Sequence, residues 1–418
     1  MPAMPIYLDH AATTPLRPEA LAAMTPWLVE GFGNPSSAHS FGRRARAGLD
    51  EAHERIGMAI GARPREIVLT SGGTEANNLA LKGAAWAGKG RGHRIVVSAV
   101  EHHSVGHTVR YLERFGFEVI EIPVDRYGRV DPDEVEAAVT PKTILVSIML
   151  ANNEVGTVQP LAAVVERVRR HKGVLIHTDA VQAAAYLPID LASMDVDMLT
   201  LAAHKFEGPK GVGALYLRHG TNILAQQQGG SQERYRRAGT EDVASASGMA
   251  VALELAVAER PVVSSRLAML REMLAAELRR LGFVQPTGHP SDRLPGLLSV
   301  VAIGLDGNAA AMALDLEGVA CSTGSACTSG SAEPSHVLAA MGYPEDEAAG
   351  ALRFSLGRTT TADEIGRAAS LISGTLRRHR EAADRMEDGR AAAPVGSNML
   401  PAPAGAAPTT PAGEASTG

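Results

Sequence analysis

Between about residue 65 and residue 217, short apolar runs alternate with stretches whose apolar residues have helical spacing. The apolar runs are Ile67–Leu69, Arg94–Ser98, Thr143–Leu150, Gly173–Thr178, Met198–Leu201 and Gly213–Leu217. Helical spacing occurs in Glu75–Ala87, His107–Arg114, Asp131–Ala138 and Ala162–His171. This alternation is typical of an α/β fold, a mostly parallel sheet with helices on both faces. Because ligands bind beyond the carboxyl ends of such strands, the residues after each strand are the candidates for function.

The rest of the chain predicts a connecting helix and a second block. Residues from Glu241 to Arg280 have the pattern of a long amphipathic helix, interrupted near Pro261. The second block contains a strand at Leu297–Ile303 and helices at Ala309–Leu316 and near Asp363–Arg377. We therefore expect a large α/β domain over residues 15–255 and a smaller α+β domain over residues 1–14 and 256–388. Residues 389–418 are rich in Ala and Pro and predict a disordered tail.

Composition narrows the class of protein. The chain has 418 residues and a net charge of −6, and its basic residues are scattered, which argues against nucleic-acid binding. We see no apolar run of the roughly 20 residues that a membrane helix needs, and no secretion signal. Cys321 and Cys327 are too close in sequence to make a useful disulfide. The sequence thus predicts a cytoplasmic protein in which a functional cysteine acts as a thiol. We expect no metal site.

Polar residues with distinct chemistry follow five of the predicted strands. Gly73 and Thr74 begin a helix and could bind an anion, although a plain turn gives the same pattern. His102, Asn153 and Asp179 could contact a planar ligand with a basic nitrogen, or could be turn and cap residues. Lys205 follows an apolar strand, where partial burial would make it nucleophilic toward an aldehyde, although a surface lysine is the alternative. Together these groups suit one cofactor, pyridoxal phosphate.

At this point the sequence resembles the cysteine desulfurases of the NifS/IscS-like type. These belong to the fold-type I pyridoxal-phosphate enzymes in the class V aminotransferase group, with a seven-stranded, mostly parallel sheet. The resemblance extends from about Tyr7 to Arg377. The segments that carry it are YLDHAATTP, GNPSSAHSFGR, SGGTEANNLALKG, EHHSV, NNEVGTVQP, HTDAVQ, AHKFEGPKGVGAL, GGSQERYRRAGTEDV, STGSACTSGSAEPSHVL and LRFSLGRTTT.

The resemblance implies a role for each candidate around the cofactor ring. Lys205 holds the cofactor as a Schiff base and moves the substrate α-proton. Asp179 pairs with the pyridine nitrogen, and Gln182 donates to the ring hydroxyl. His102 stacks on the ring and transfers a proton.

The resemblance also implies the residues that hold the phosphate and the substrate. The phosphate is bound by Gly73, Thr74 and His204, and by Thr240 of the neighbouring subunit in a homodimer with shared sites. Asn153 and Arg353 bind the substrate carboxylate, to which a planar guanidinium is suited. Many relatives have a serine at the position of Ala202, so one hydroxyl donor to the phosphate is absent here.

Cys327 determines which reaction the resemblance implies. Its thiolate accepts sulfur from L-cysteine as a persulfide, leaving alanine, and the sulfur passes to an acceptor such as an iron–sulfur scaffold protein or a tRNA-thiolating enzyme. The alternatives are a selenocysteine lyase or another aminotransferase-like enzyme, a thiol hydrolase that uses Cys327 with His102 or His336, and a structural partner that only binds the cofactor.

Overall fold

The fold is built around a large sheet, seen here in a computed structural model that describes residues 5–324 and 335–391. In this part of the chain the sheet has seven strands, as predicted. In spatial order they are β2 (Ile67–Thr70), β8 (Gly213–Leu217), β7 (Met198–Ala202), β6 (Leu175–Asp179), β5 (Thr143–Ser147), β3 (Arg94–Ser98) and β4 (Glu118–Ile122). Strand β8 is antiparallel to both its neighbours, and the other adjacent pairs are parallel. The α/β class with a mostly parallel sheet is confirmed.

Helices cover both faces of this sheet. Successive residues of β3 show the two layers, because Val96 belongs to one apolar cluster while Ile95 and Val97 belong to another. Helices α3 and α4 pack on the second cluster, and α2, α5, α6 and the first half of α8 pack on the first. The helices in the first part of the chain are α1 (Pro18–Val29), α2 (Ser40–Ile60), α3 (Gly73–Gly88), α4 (His103–Glu113), α5 (Pro132–Ala138), α6 (Leu161–Val168), α7 (Leu191–Met194) and α8 (Val243–Arg279).

The second block forms a small antiparallel sheet and an adjoining strand pair. The small sheet has the order β12 (Ala351–Ser355), β10 (Leu297–Ala302), β9 (Val284–Pro286), and β1 (Ile6–Tyr7) pairs in parallel with β11 (Val319–Ala320). Ile6 and Leu8 lie in the same apolar cluster as the second half of α8, α9 and α12. The remaining helices are α9 (Gly307–Leu316), α10 (His336–Ala340), α11 (Glu345–Ala348) and α12 (Ala362–Ala391). The domain limits at residues 15 and 256 stay a proposal.

Several elements differ from the sequence predictions, among them helices α1 and α2, which were not predicted. The interruption near Pro261 is wrong, because α8 continues through this proline. Proline removes one helical hydrogen bond, but the two halves of α8 are held by apolar clusters on either side of it. Strand β4 (Glu118–Ile122) was not predicted, and α12 reaches Ala391, beyond the predicted start of the tail at residue 389.

Candidate active site

A cavity of about 320 Å³ lies beyond the carboxyl ends of β6 and β7 and extends to the small sheet. Its wall brings together most of the side chains that the sequence singled out. These are Gly73, Thr74, His102, Asn153, Asp179, Gln182, His204, Lys205 and Arg353. They come from segments spread over 280 residues of the chain, and the fold places them around one space.

Lys205 ends a short 3-10 turn, Ala203–Lys205, that directly follows β7. Its Nζ donates hydrogen bonds to the carbonyl oxygens of Ala11 and Ala12, the latter at 2.8 Å. Two backbone carbonyls of the N-terminal segment therefore hold the amine at the cavity wall. A primary amine in this position can react with an aldehyde that enters the cavity.

Asp179 is the last residue of β6 and is only 6% exposed. Its Oδ1 accepts from the Val181 amide at 2.9 Å, and its Oδ2 accepts from Asn77 Nδ2 at 2.7 Å. Burial of a carboxylate is costly unless donors or a cation compensate it, and these two neutral donors do so only in part. The carboxylate can therefore serve a protonated ring nitrogen inside the cavity.

His102 caps the N-terminus of α4, and its ring faces the cavity. Nδ1 accepts from the Ser104 amide at 3.1 Å and lies 2.8 Å from Ser104 Oγ. Burial, together with the positive charge of Lys205, lowers the pKa of His102, although Asp179 acts in the opposite direction. Since a backbone N–H can only donate, the neutral ring carries its proton on Nε2. His102 can thus exchange a proton at Nε2.

The first turn of α3 forms a site for an anion. Gly72 is the N-cap with φ +151°, and Gly73 begins the helix. A Cβ on Gly73 would lie 2.9 Å from a methyl group of Val181, so only glycine leaves this approach open. Burial and the charges of Lys205 and Lys210 lower the pKa of His204 to about 4, and the neutral ring can donate a hydrogen bond. Free amides at a helix N-terminus and such a donor suit a phosphate group.

Arg353, in the middle of β12, brings the small sheet to the cavity. Its side chain is 4% exposed, and its Nη2 donates to Asp9 Oδ1 at 3.0 Å. Its Nη1 donates to the carbonyl oxygen of Asn153 at 2.9 Å, while Nε has no hydrogen-bond partner among the described residues. A buried guanidinium with spare donor capacity is suited to a carboxylate ligand.

Gln182 also faces the cavity, and its Nε2 donates to the Ala11 carbonyl at 2.9 Å.

Sequence reasoning missed Asn77, Ser104 and the carbonyl oxygens of Ala11 and Ala12. Asn77 is buried inside α3, where asparagine is a poor helix former, and that was a usable signal. Ser104 hydrogen-bonds both Asn77 and His102, at 2.8 Å each. The two carbonyls left no signal, because every residue carries the same backbone group.

Two predicted site residues do not lie in this wall. Thr240 is exposed and away from the cavity, and the prediction assigns it to the neighbouring subunit's site, which one chain does not test. Cys327 lies outside the described residues. Gly324 and Ser335, the described residues on either side of that stretch, lie next to each other, and Ser335 Oγ donates to Glu154 Oε2. Both ends of the stretch therefore meet beside the turn that carries Asn153.

Cys321 does not line the cavity. Cys321 is a free thiol, and burial raises its pKa to about 12, with a further contribution from Asp9. Within residues 5–324 and 335–391, no group of His, Cys, Asp or Glu side chains is arranged to hold a metal ion. The helices in the same ranges include none that is long and apolar enough to cross a membrane.

The chain is similar to known proteins over most of its length. The chain is 48% identical over 361 residues to a cysteine desulfurase IscS of Dictyoglomus turgidum, covering 86% of this chain and 91% of the relative. It is 44% identical over 367 residues to a cysteine desulfurase IscS of Methanosarcina thermophila, covering 88% and 91%. A solved structure of a NifS-like protein is 37% identical and superposes with a TM-score of 0.85 over 90% of this chain and all of that one. Residues 6–367 match the class-V aminotransferase family, and the chain belongs to that family.

Proposed function

We propose that this protein is a pyridoxal-phosphate-dependent cysteine desulfurase. It removes sulfur from L-cysteine to give L-alanine and a persulfide on Cys327. The observation that carries the proposal is the meeting of Lys205, Asp179 and His102 in one cavity that also contains the anion site of α3. The curated relatives named cysteine desulfurases support the choice among the reactions that this fold performs.

The residues of the cavity fit the cofactor. The space that a Cβ on Gly73 would close can take the phosphate, with Thr74 and His204 as further donors. Asp179 would face the ring nitrogen, held in place by Asn77. Gln182 would donate to the ring hydroxyl, and His102 would lie over the ring. Pyridoxal phosphate, when bound, supplies an aldehyde for an amine and a conjugated ring that accepts electrons.

The substrate would be held at both ends. Arg353 and Asn153 would bind the carboxylate of L-cysteine, which leaves its amino group at the side of Lys205. Lys205 would hold the cofactor and, once released from it, move the α-proton of the substrate. His102 would exchange the thiol proton at Nε2, since its Nδ1 is occupied by the Ser104 amide.

The sulfur would then be transferred to Cys327. An S–S bond forms between the Cys327 thiolate and the substrate sulfur while the Cβ–S bond of the substrate breaks. The electron pair of that bond stays with the carbon skeleton, which becomes alanine by taking up a proton at Cβ and the proton that Lys205 returns at Cα. The attack is of the same type as thiol–disulfide exchange.

Three further assignments belong to this proposal. The protein would act as a homodimer in which Thr240 reaches the phosphate in the neighbouring site. It would work in the cytoplasm, and it would pass the persulfide sulfur to an iron–sulfur scaffold protein or a tRNA-thiolating enzyme. The named relatives support an acceptor protein but do not identify it.

The test is incubation of the purified protein with L-cysteine and pyridoxal phosphate. We expect alanine in solution, sulfide when dithiothreitol is present, and one added sulfur on the peptide that contains Cys327, measured by mass spectrometry. Lys205→Ala should lose the visible absorption of the bound cofactor, and Cys327→Ser should lose persulfide formation. Alanine production by Cys327→Ser at the wild-type rate would contradict the proposal.

A further inference from the structure

Glu207, two residues after Lys205, has a strained backbone. Its φ of +62° lies in the left-handed region, which residues with a side chain adopt at a cost. Neighbouring groups hold this conformation from both sides, since its amide donates to Thr14 Oγ1 at 2.8 Å and its carbonyl accepts from the Arg17 amide at 3.0 Å. Such strain persists only where the surroundings impose it, so the turn after Lys205 is fixed by its contacts.

The side chain of Glu207 takes part in a partly buried set of alternating charges. Its Oε2 lies 2.6 Å from Nε of Arg358 and 3.7 Å from Nε of Arg17. Arg17 in turn donates to both carboxylate oxygens of Glu259, at 2.9 and 3.0 Å. The Glu207 side chain is 11% exposed, so solvent screens its pair with Arg358 much less than a surface pair.

The ion pair between Glu207 and Arg358 connects the large sheet to the small sheet. The large sheet carries the group proposed to act at the α-carbon of the substrate, and the small sheet carries the group proposed to bind its carboxylate. Glu207 follows the Lys205 turn of the large sheet, and Arg358 follows β12 of the small sheet, whose middle residue is Arg353. Glu207 does not line the cavity that contains Asp179. It lines a second, smaller cavity of about 30 Å³, which Lys205 also lines. It therefore has no place to touch the substrate directly.

We propose that Glu207 is a positioning residue whose ion pair with Arg358 fixes the distance between the amine of Lys205 and the guanidinium of Arg353. An amino acid has a fixed separation between its α-carbon and its carboxylate, so both groups can act on it only at one spacing. The inference rests on the proposed function, because that function assigns the carboxylate to Arg353. An error in this spacing leaves both groups present and impairs the chemical step more than binding.

The experiment uses the enzyme loaded with pyridoxal phosphate and a double-mutant cycle of Glu207→Gln and Arg358→Gln. Each single variant should lower kcat for L-cysteine about tenfold, with KM changed less than about threefold. The double variant should be no worse than the more impaired single variant, because the two residues act as one unit. Arg358→Lys keeps the charge and should retain more of kcat than Arg358→Gln.

Arg55→Gln is the matched control. It breaks an ion pair with Glu254 that has the same 2.6 Å separation and the same 33% exposure of the arginine side chain, but that lies away from the cavity. Its kcat should equal that of the wild type. Thermal unfolding of every variant separates a change in the site from a loss of folding.

A second readout needs no turnover. The pH at which the absorption of the Lys205-bound cofactor changes should shift in the same direction in Glu207→Gln and Arg358→Gln, because both release the same turn. A purely electrostatic effect would give shifts of opposite sign, because one variant removes a negative charge and the other removes a positive charge. Shifts of opposite sign would therefore overturn the inference. Additive losses of kcat, or an unchanged kcat in both single variants, would overturn it as well. If the wild type itself makes no alanine from cysteine, the proposed function fails, while the absorption measurement still tests the release of the turn.

Discussion

The side-chain amide of Asn77 donates to Oδ2 of Asp179 at 2.7 Å, so a residue of α3 orients the carboxylate at the end of β6. The same amide donates to Ser104 Oγ at 2.8 Å, and Ser104 contacts His102. Asp179 and His102, two of the side chains proposed to contact the cofactor ring, are therefore held by one hydrogen-bonded chain.

Asn77→Ala should weaken cofactor binding. The substitution removes a donor from a buried carboxylate, and a lost hydrogen bond to a charged group costs about 1.5–3 kcal/mol. We expect the dissociation constant of pyridoxal phosphate to rise at least about tenfold in an absorbance titration. Asn78→Ala is the control, because among the described residues the Asn78 amide donates only to the Thr74 carbonyl. Equal effects of both substitutions would show that the Asn77 contact has no special role.

Ala202→Ser should strengthen cofactor binding. Ala202 lines the cavity, and a Cβ built on Gly73 would lie 3.5 Å from the Cβ of Ala202, so a hydroxyl here would face the anion site. One added hydrogen bond contributes about 1 kcal/mol, or roughly fivefold in affinity. The rate of cofactor loss during dialysis measures the gain. Faster loss would indicate that the hydroxyl is buried without a partner.

Glu101→Gln should remove part of the pH dependence of stability. Glu101 is 3% exposed, and burial raises its pKa to about 8, against the hydrogen bonds that its Oε1 accepts from Ser98 and Met149. In the unfolded chain this carboxyl ionises near its ordinary pKa of 4.5. The contribution of Glu101 to the free energy of unfolding of the wild type therefore falls as the pH rises from about 4.5 to about 8, and then stays constant. Glutamine keeps the acceptor and does not ionise.

Urea unfolding of wild type and Glu101→Gln at about pH 5.5 and about pH 8 measures this effect. The advantage of the variant in free energy of unfolding should be larger at the higher pH. A difference that is the same at both pH values would show that Glu101 ionises in the folded protein as it does in the unfolded chain.

Cys321→Ala should leave sulfur transfer intact. Burial raises the pKa of the Cys321 thiol to about 12, so the thiol stays protonated at neutral pH and is a poor nucleophile. Alanine release and the persulfide on the Cys327 peptide should match the wild type in a parallel assay. Sulfur found on the Cys321 peptide of the wild-type protein would contradict this assignment.

The sequence predicted the five inner strands of the large sheet, whose residues are mostly buried. Strands β5 and β7 are buried along their whole length and mostly apolar, and the loop after each carries a polar residue that lines the cavity. Strand β4 was missed because it lies at the sheet edge and contains Glu118 and Glu121. An edge strand needs fewer apolar residues, and its pattern is correspondingly weaker.

Site residues could be predicted from the sequence where the chemistry of the side chain is unusual for its position. Lys205 and Asp179 were identified because an amine and a carboxylate at the ends of buried strands need a partner. Arg353 and Gln182 were assigned only through the family resemblance. The carbonyl that accepts from both Lys205 and Gln182 belongs to Ala11, an alanine near the start of the chain. Contacts of this kind depend on tertiary structure alone and could not be predicted from residue type.

The pair between Asp9 and Arg353 joins residues 344 positions apart. During synthesis, the segment with Lys205 and Asp179 leaves the ribosome long before Arg353 does. Since large proteins fold in parts as they emerge, the cofactor pocket can form while the carboxylate anchor is still missing. The growing chain would therefore contain the groups proposed to bind pyridoxal phosphate before it contains the guanidinium proposed to bind the cysteine carboxylate.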